Sequence, residues 1–326
     1  MKYFIGILAG LLGLAAGISS AQTAPGTAQA WPVKPIRFVV PYTAGGNTDM
    51  IARTLGQKLA ESLGQPVVVE NRAGAATLIG AENVAKAPPD GYAMLLATST
   101  TLAINPHLYK SLPYDPIRDF TPVIQVARIP MVLLVPANSS IRTLQDLVAQ
   151  AKAKPGVLTY ATAGSGSPSD LAMQLFLSAT GTKMTAVPYK GGAPAMADLM
   201  AGHVNVGFDN SSLSLVRAGK LRAIFQSGEK RMETSPDIPT VVELGYPQCV
   251  FYPWQGVMVP AGTPPAVVTR LHGELYKALQ MPDVRARITA DGAEISAGTS
   301  AEFATYIRSE LDRFGKVMRE AGVKPE

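Results

Sequence analysis

The run Ile36-Arg37-Phe38-Val39-Val40, followed by Pro41-Tyr42-Thr43-Ala44-Gly45-Gly46-Asn47-Thr48-Asp49, decides the fold class of this chain. Residues 36–40 are apolar and β-branched enough for a buried strand of a parallel sheet, and Pro41 ends it. Gly45-Gly46 lets backbone N–H groups turn toward a ligand with no Cβ in the way, and Asn47 or Thr48 is placed to cap a helix. Ile51, Leu55, Leu59 and Leu63 then recur at one helical face, with Gly64 as the stop. Strand, glycine turn and helix N-terminus make a concave anion site, suited to a carboxylate, because unpaired N–H groups and the positive dipole end converge there. A Gly-Gly pair that merely turns the corner fits the same local pattern. For phosphate, neither nucleotide fingerprint is present: there is no G-x-x-x-x-G-K-[ST], and Gly45-Gly46 is not part of a G-x-G-x-x-G.

Outward from this unit, residues 67–69 form the next expected strand, 70–76 its exit loop and 77–87 a helix. Pro88-Pro89-Asp90-Gly91 is a turn, and strand 92–97 leads into Thr98-Ser99-Thr100-Thr101. Those hydroxyls are either hydrogen-bonding groups at a strand's C-terminal edge or a solvated loop. Strands alternating with helices imply a parallel sheet whose ligands sit at that edge. Residues 123–135 are apolar but interrupted by Arg128 and Pro130, the pattern of a chain crossing between domains.

A second α/β pattern follows: helix 144–153, the stop Lys154-Pro155-Gly156 and strand 158–161. The opening arrangement then recurs in Ala163-Gly164-Ser165-Gly166-Ser167, with Ser167 as N-cap, Pro168 at the first helical position and Asp170 completing a capping box. Strand 185–187 runs into Pro188-Tyr189-Lys190-Gly191-Gly192 and a short helix ending near Gly202. Strand 204–208 runs into Asp209, a helix cap or a ligand partner, and 221–225 is one more strand. After Trp254 and Gly256 comes strand 257–259, and the remainder is expected to be all helical. The stripe Val267, Leu271, Leu275, Leu279 is core, as is Phe303, Ile307, Leu311, Phe314, Met318 behind a capping box at 299–302.

Residues 1–21 are expected to be a signal peptide, with Lys2, an uncharged apolar run at 5–18 and the small residues Ser19-Ser20-Ala21. A second small-residue site, Ala28-Gln29-Ala30, leaves the mature start open, so 22–30 is expected to be a disordered tail. Without the signal, roughly 300 residues remain, enough for two domains. The composition, 47% hydrophobic and 16% charged, is that of a soluble globular protein. One cysteine, Cys249, excludes an internal disulfide framework and cysteine-rich metal sites. The net charge of +5 is carried by scattered residues, without the basic clusters interleaved with aromatics that mark nucleic-acid binders.

The supply of catalytic groups is thin. His107, His203 and His272 show no metal-ligand spacing, and there is no H-E-x-x-H. Ser165 is a conceivable nucleophile, but the chain has no G-x-S-x-G and no histidine placed as a base. No cofactor, metal or catalytic residue is expected.

The motifs Pro41-Tyr42-Thr43-Ala44-Gly45-Gly46 with Asp49 and Ala52-Arg53, Gln65-Pro66-Val67-Val68-Val69-Glu70-Asn71-Arg72, Pro89-Asp90-Gly91-Tyr92 and Asn105-Pro106-His107-Leu108-Tyr109 form one group. Leu112-Pro113-Tyr114-Asp115-Pro116, Val187-Pro188-Tyr189-Lys190-Gly191, Phe208-Asp209 and Pro260-Ala261-Gly262-Thr263-Pro264 form another. In this order they closely resemble the Bug (TctC-like) family, the extracytoplasmic solute receptors of tripartite tricarboxylate transporters.

The resemblance implies an α/β, type II-like periplasmic binding protein with a ligand cleft between two sandwich domains joined by two crossings. Residues 31–129 and 255–326 would form the first domain and 130–254 the second. It implies a ligand site at Tyr42, Thr43, Ala44, Gly45, Gly46, Asn47, Thr48 and Asp49, with Thr98, Ser99, Thr100, Gly164, Ser165, Ser167, Tyr189, Gly191, Phe208 and Asp209. The expected role is capture of a small carboxylate by hinge closure in the periplasm and delivery to membrane transporter subunits, by a monomer that neither spans the membrane nor binds nucleic acid. A sensor's ligand-binding receptor and a serine hydrolase using Ser165 are the alternatives. Two departures stand out: Asp170, where the family often has histidine, and the region 246–254 with Pro247, Cys249 and Pro253.

Overall fold

The apolar strand segments and the striped helices assemble, in the computed structural model, into two mixed sheets covered by helices. The structure describes residues 31–320 except 165 and 291, together with 325. The expected signal peptide, the tail before Trp31 and Ser165 therefore lie outside the described residues.

The first sheet is begun by β1 (Ile36–Val40), helix α1 (Asn47–Leu63), β2 (Val67–Asn71), α2 (Leu78–Ala85) and β3 (Ala93–Thr98). A π-type turn at Thr100–Ile104 and the short α3 (Asn105–Leu108) lead to β4 (Phe120–Arg128). The chain then enters the second sheet with β5 (Val132–Pro136), α4 (Leu144–Ala153), β6 (Thr159–Thr162), α5 (Pro168–Thr180), β7 (Thr185–Pro188), α6 (Gly192–Ala201), β8 (Val206–Asp209), α7 (Leu213–Arg217) and β9 (Leu221–Gln226). It returns to the first sheet through β10 (Trp254–Pro260), followed by α8 (Pro265–Gln280), α9 (Pro282–Thr289), β11 (Glu294–Ile295) and α10 (Ser300–Glu320).

The strand orders are β11-β4-β10-β3-β1-β2 and β7-β6-β8-β5-β9. β1 pairs parallel with both β2 and β3, so Phe38 stands opposite Val69 and Met94. The sheets are not purely parallel, however. β10 runs antiparallel to β3 and β4, and β5 antiparallel to β8 and β9, because the crossing strands reach each sheet from the other one. The C-terminal part is not wholly helical either: β11 pairs antiparallel with β4. Two residues carry no periodicity, so a strand this short leaves no pattern in the sequence.

Each face of β1 feeds a different core. Ile36, Phe38 and Val40 pack with Ile51, Leu55 and Leu59 of α1 and Leu271, Leu275 and Leu279 of α8. Val39 joins a core on the opposite face that also contains Phe303, Ile307 and Phe314 of α10 and Leu171, Leu175 and Phe176 of α5. That core runs without interruption from the first sheet to the second, and each aromatic or leucine buried in it contributes roughly 1.5–3 kcal/mol. α6 closes a third cluster, with Met196 and Leu199 against Val132, Leu134 and Ala161.

The two crossings lie side by side: Ile129 N–H donates to the Pro253 carbonyl at 2.8 Å. Arg128 stands over the Tyr252 ring at 4.2 Å, pairs with Glu294 at 2.9 Å and reaches Glu229 at 3.7 Å. One guanidinium thus ties together both crossings and both sheets. The second crossing re-enters the first sheet at Trp254, where β10 begins.

Candidate functional site

Because β1, β6, β7 and β8 all run into helices at one edge of their sheets, the starts of α1, α5, α6 and α7 come together around a cleft of about 730 Å³. This is within the range of small-molecule sites, about 300–1,000 Å³. One wall is Tyr42, Thr43, Gly46, Asn47 and Thr48. The other brings Ala163, Pro168 and Ser169 from α5, Gly192, Ala193, Met196 and Met200 from α6, and Asp209 to Ser212 with Leu215 from α7. Met131 and Pro253, one from each crossing, close its base.

The first wall is a loop fixed from behind. Asp49, only 4% exposed, accepts from Gly45 N–H at 3.0 Å, Arg53 Nε at 2.9 Å and Asn71 Nδ2 at 2.9 Å. The Arg53 hydrogen bond, helped by those from Gly45 and Asn71, holds its carboxyl down at about 2 against the desolvation of burial. Asn71 Nδ2 also reaches the Tyr42 carbonyl at 3.1 Å. The helix is capped by neither Asn47 nor Thr48: Gly46 is the N-cap and makes no side-chain cap bond. Asn47 Oδ1 instead accepts from Gln255 Nε2 at 3.1 Å, so that side chain anchors α1 to β10. The first-turn N–H groups of α1 consequently face the cleft without a side chain of their own to satisfy them.

The second wall repeats the device. Gly166 N–H donates to Asp170 Oδ2 at 2.9 Å, Tyr160 OH donates to Asp170 Oδ1 at 3.1 Å, and Ser167 Oγ accepts from Asp170 N–H at 3.4 Å. Asp170 is therefore turned into its own loop, away from the cleft. Asp209 Oδ2 accepts from Ser211 N–H, Ser211 Oγ and Ser212 Oγ at 2.8, 2.9 and 2.6 Å, closing the turn ahead of α7.

Of the residues singled out in the sequence, Tyr42, Thr43, Gly46, Asn47, Thr48 and Asp209 line the cleft. Gly45, Asp49, Gly164, Ser167 and Gly191 shape the lining loops from behind, and Gly191 N–H bonds the Ala163 carbonyl at 3.2 Å. Tyr189 turns its hydroxyl to Asp198 at 2.7 Å. Thr98 and Ser99 are buried; Thr98 Oγ1 is shared between Tyr42 OH and Thr101 Oγ1, each at 3.2 Å, and with Thr100 they lie behind the lining. Phe208 is core, edge-on to Phe225 with centroids 5.6 Å apart. Ala44 is exposed beside the lining. The lining residues that were not among the expected site residues include Met131, Met196, Met200 and Leu215 and the polar Ser169, Asn210, Ser211 and Ser212. Nothing local in the sequence says that one edge of α6 meets a cleft.

No lysine, arginine or histidine lines the cleft among the described residues. His107 and His272 bond the carbonyls of Leu311 and Gly298, and His203 reaches Asp198 on the surface. Among the described residues no cluster of His, Cys, Asp or Glu is arranged for a metal, and no helix is long and apolar enough to cross a membrane.

Two α/β lobes, side-by-side crossings and a cleft walled by helix starts define a two-domain protein of the periplasmic-binding type. The family is then given by comparison: residues 51–323 match the tripartite tricarboxylate transporter family receptor, and the chain belongs to that family. Protein BugT of Bordetella pertussis is 39% identical over 98% of this chain and 97% of its own length. Among solved structures, R. palustris Rpa4515 with adipate is 36% identical, with a TM-score of 0.81 over 91% of this chain and all of that one. MatC from Rhodopseudomonas palustris with bound malate is 32% identical, with a TM-score of 0.76 over 88% of this chain and 99% of that one.

Proposed function

We propose that this protein is a periplasmic receptor that captures a small carboxylate in the cleft and hands it to the membrane subunits of a tripartite transporter. The observation that carries this reading is the α1 start: uncapped first-turn N–H groups, at the positive end of a long helix, open onto a cleft that offers no cationic side chain among the described residues. Backbone N–H groups and ordered water hold one anion without a buried ion pair that would have to be broken for release. Family membership, and the adipate and malate held by two solved relatives, support the same ligand class.

In this reading residues 31–129 and 255–326 form one domain and 130–254 the other, and the paired crossings act as the hinge. Closure removes water from each hydrogen bond around the ligand and strengthens it. Tyr42 to Thr48 hold the carboxylate, while the loops at 163–169, 191–193 and 209–212 cover it. The protein works as an exported monomer after loss of residues 1–21, and it binds without turnover. A thermal-shift screen of mono-, di- and tricarboxylates on protein stripped of bound solute tests it: a carboxylate raises the midpoint by mass action. If no carboxylate moved the midpoint while an uncharged or cationic solute did, the reading would fail.

A further inference from the structure

Gln255 stands on β10 between two strands, opposite Thr98 of β3 and Ala127 of β4. It is 7% exposed, in a strand otherwise made of apolar residues and one glycine. Its Oε1 is buried and meets no hydrogen-bond donor among the described residues. A buried amide with one end unsatisfied costs stability, a cost that an apolar side chain of the same shape would not carry. The other end reaches the cleft lining: Nε2 donates to Asn47 Oδ1 at 3.1 Å. The register of β10 against β4 shifts between Gln255 and Gly256, the kind of irregularity that re-aims a strand's side chains. Asn47 itself is the first residue of α1. Its Nδ2 makes no hydrogen bond among the described residues and is not shut in the interior. A freely turning asparagine offers a solute either a donor or an acceptor, whereas one pinned through Oδ1 offers the donor alone.

We propose that Gln255, which does not itself line the cleft, is a positioning residue: it holds the Asn47 amide with Nδ2 toward the cleft, where Nδ2 donates to the same carboxylate as the open N–H groups of α1. The proposal rests on the carboxylate reading above and deepens it. A hydrogen bond to an ionised acceptor is stronger than one between neutral groups. Coming from an amide, it adds no cation that would have to be separated from the ligand at release. The buried glutamine thus trades some stability for the polarity of one side chain at the site.

The test is calorimetric titration of the signal-free chain, stripped of solute, with straight-chain monoacids from propanoate to octanoate, diacids of the same carbon number, malate and benzoate. The wild type is compared with Asn47→Ala, Asn47→Asp, Gln255→Met and the double variant Asn47→Ala/Gln255→Met, and the unfolding midpoint of each is measured. For the tightest-binding acid, Asn47→Ala is expected to cost about tenfold in affinity. Gln255→Met should cost about threefold or more, and the double variant no more than Asn47→Ala alone. Gln255→Met keeps the unbranched shape and removes the unpartnered carbonyl, so its midpoint should equal or exceed that of the wild type. Asn47→Asp leaves the strand untouched and still accepts from Gln255, but turns an acceptor to the cleft; it should bind the acid more weakly than Asn47→Ala does. A Gln255→Met chain with lowered midpoint and unchanged affinity would show that Gln255 only braces α1, and an equal loss with and without Asn47 would show that it does not act through that side chain. Either result, or an Asn47→Asp chain that binds as the wild type does, overturns the proposal and leaves the carboxylate receptor standing. Binding by no acid of the set removes both.

Discussion

Gly45 N–H donates to the carboxylate of Asp49, one helical turn ahead of it, at 3.0 Å. The same relationship recurs across the cleft, where Gly166 N–H donates to Asp170 at 2.9 Å. In both lobes a glycine loop is tied to the helix it introduces by an acidic residue that does not itself line the cleft. Both acids are buried, so what they contribute is the shape of the loop and not direct contact with a solute.

Asp49→Asn should accordingly weaken both stability and binding. It removes the charge from a site that accepts three hydrogen bonds, one of them from Arg53. The folded carboxyl is held at about 2 against an ordinary 3.8. Its contribution is therefore complete above the ordinary value and is lost as pH falls through the folded one. That difference corresponds to on the order of 2 kcal/mol. Urea denaturation across the acid range should show a fall in stability toward pH 2 that is shallower in the variant.

Gly45 and Gly46 should respond differently to substitution. A Cβ on either meets nothing within 4 Å, but Gly45 has φ +90 whereas Gly46 lies in extended backbone. Gly45→Ala should cost about 1–2 kcal/mol from backbone strain. Gly46→Val should cost no more than about 1 kcal/mol, the loss of a favoured N-cap, yet fill the mouth of the anion site. Full retention of affinity in Gly46→Val, measured by calorimetry, would remove the α1 start from the binding site.

Gly166 meets the facing lobe. It has φ +70, and a Cβ there would collide with Leu108 Cδ1 from the facing lobe. Gly166→Ala should therefore weaken ligand binding by about tenfold, through a population shift away from the closed arrangement. Leu108→Ala in the same chain should restore part of that loss, leaving only the backbone strain. A double-mutant cycle with no coupling would show that the two lobes do not meet there in the bound form.

Cys249 should be silent toward thiol reagents in the folded protein. It is 5% exposed, and burial pushes its thiol up to about 12. Thiolate is therefore scarce at ordinary pH. Labelling at pH 8 should be near zero in buffer and complete in denaturant; rapid native labelling would mean that the segment around Cys249 opens readily.

Most of the elements were legible from local pattern. β1, α1 with its Gly64 stop, α4 and the Ser167 cap all lie where strand composition, helical spacing and capping residues place them, since each signal acts within a turn or two of the chain. What failed did so for physical reasons. Gly46 is the cap because Gln255, more than 200 positions away, takes the Asn47 side chain. Thr98 is buried, Thr101 lies buried within a π-type turn that no hydroxyl run announces, and β11 is too short to show a period. The left-handed backbone at Ala75, Ala76 and Thr77 is also silent in the sequence, because non-glycine residues seldom adopt it.

The sequence by itself determined that this is an α/β protein with glycine turns at helix starts, and its motifs placed it in a receptor family. Only the tertiary structure decided that the starts of α1, α5, α6 and α7 share one cleft, that Asp49 and Asp170 turn inward, and that Asp209 remains in the lining. It also placed Met131, Met196 and Met200 in the cleft lining, which nothing local in the sequence announces. The reason is that a helix start, a cap or a stripe is set by neighbours in sequence, whereas which surfaces face each other is set by two crossings and a core shared between sheets, whose partners lie a hundred or more residues apart.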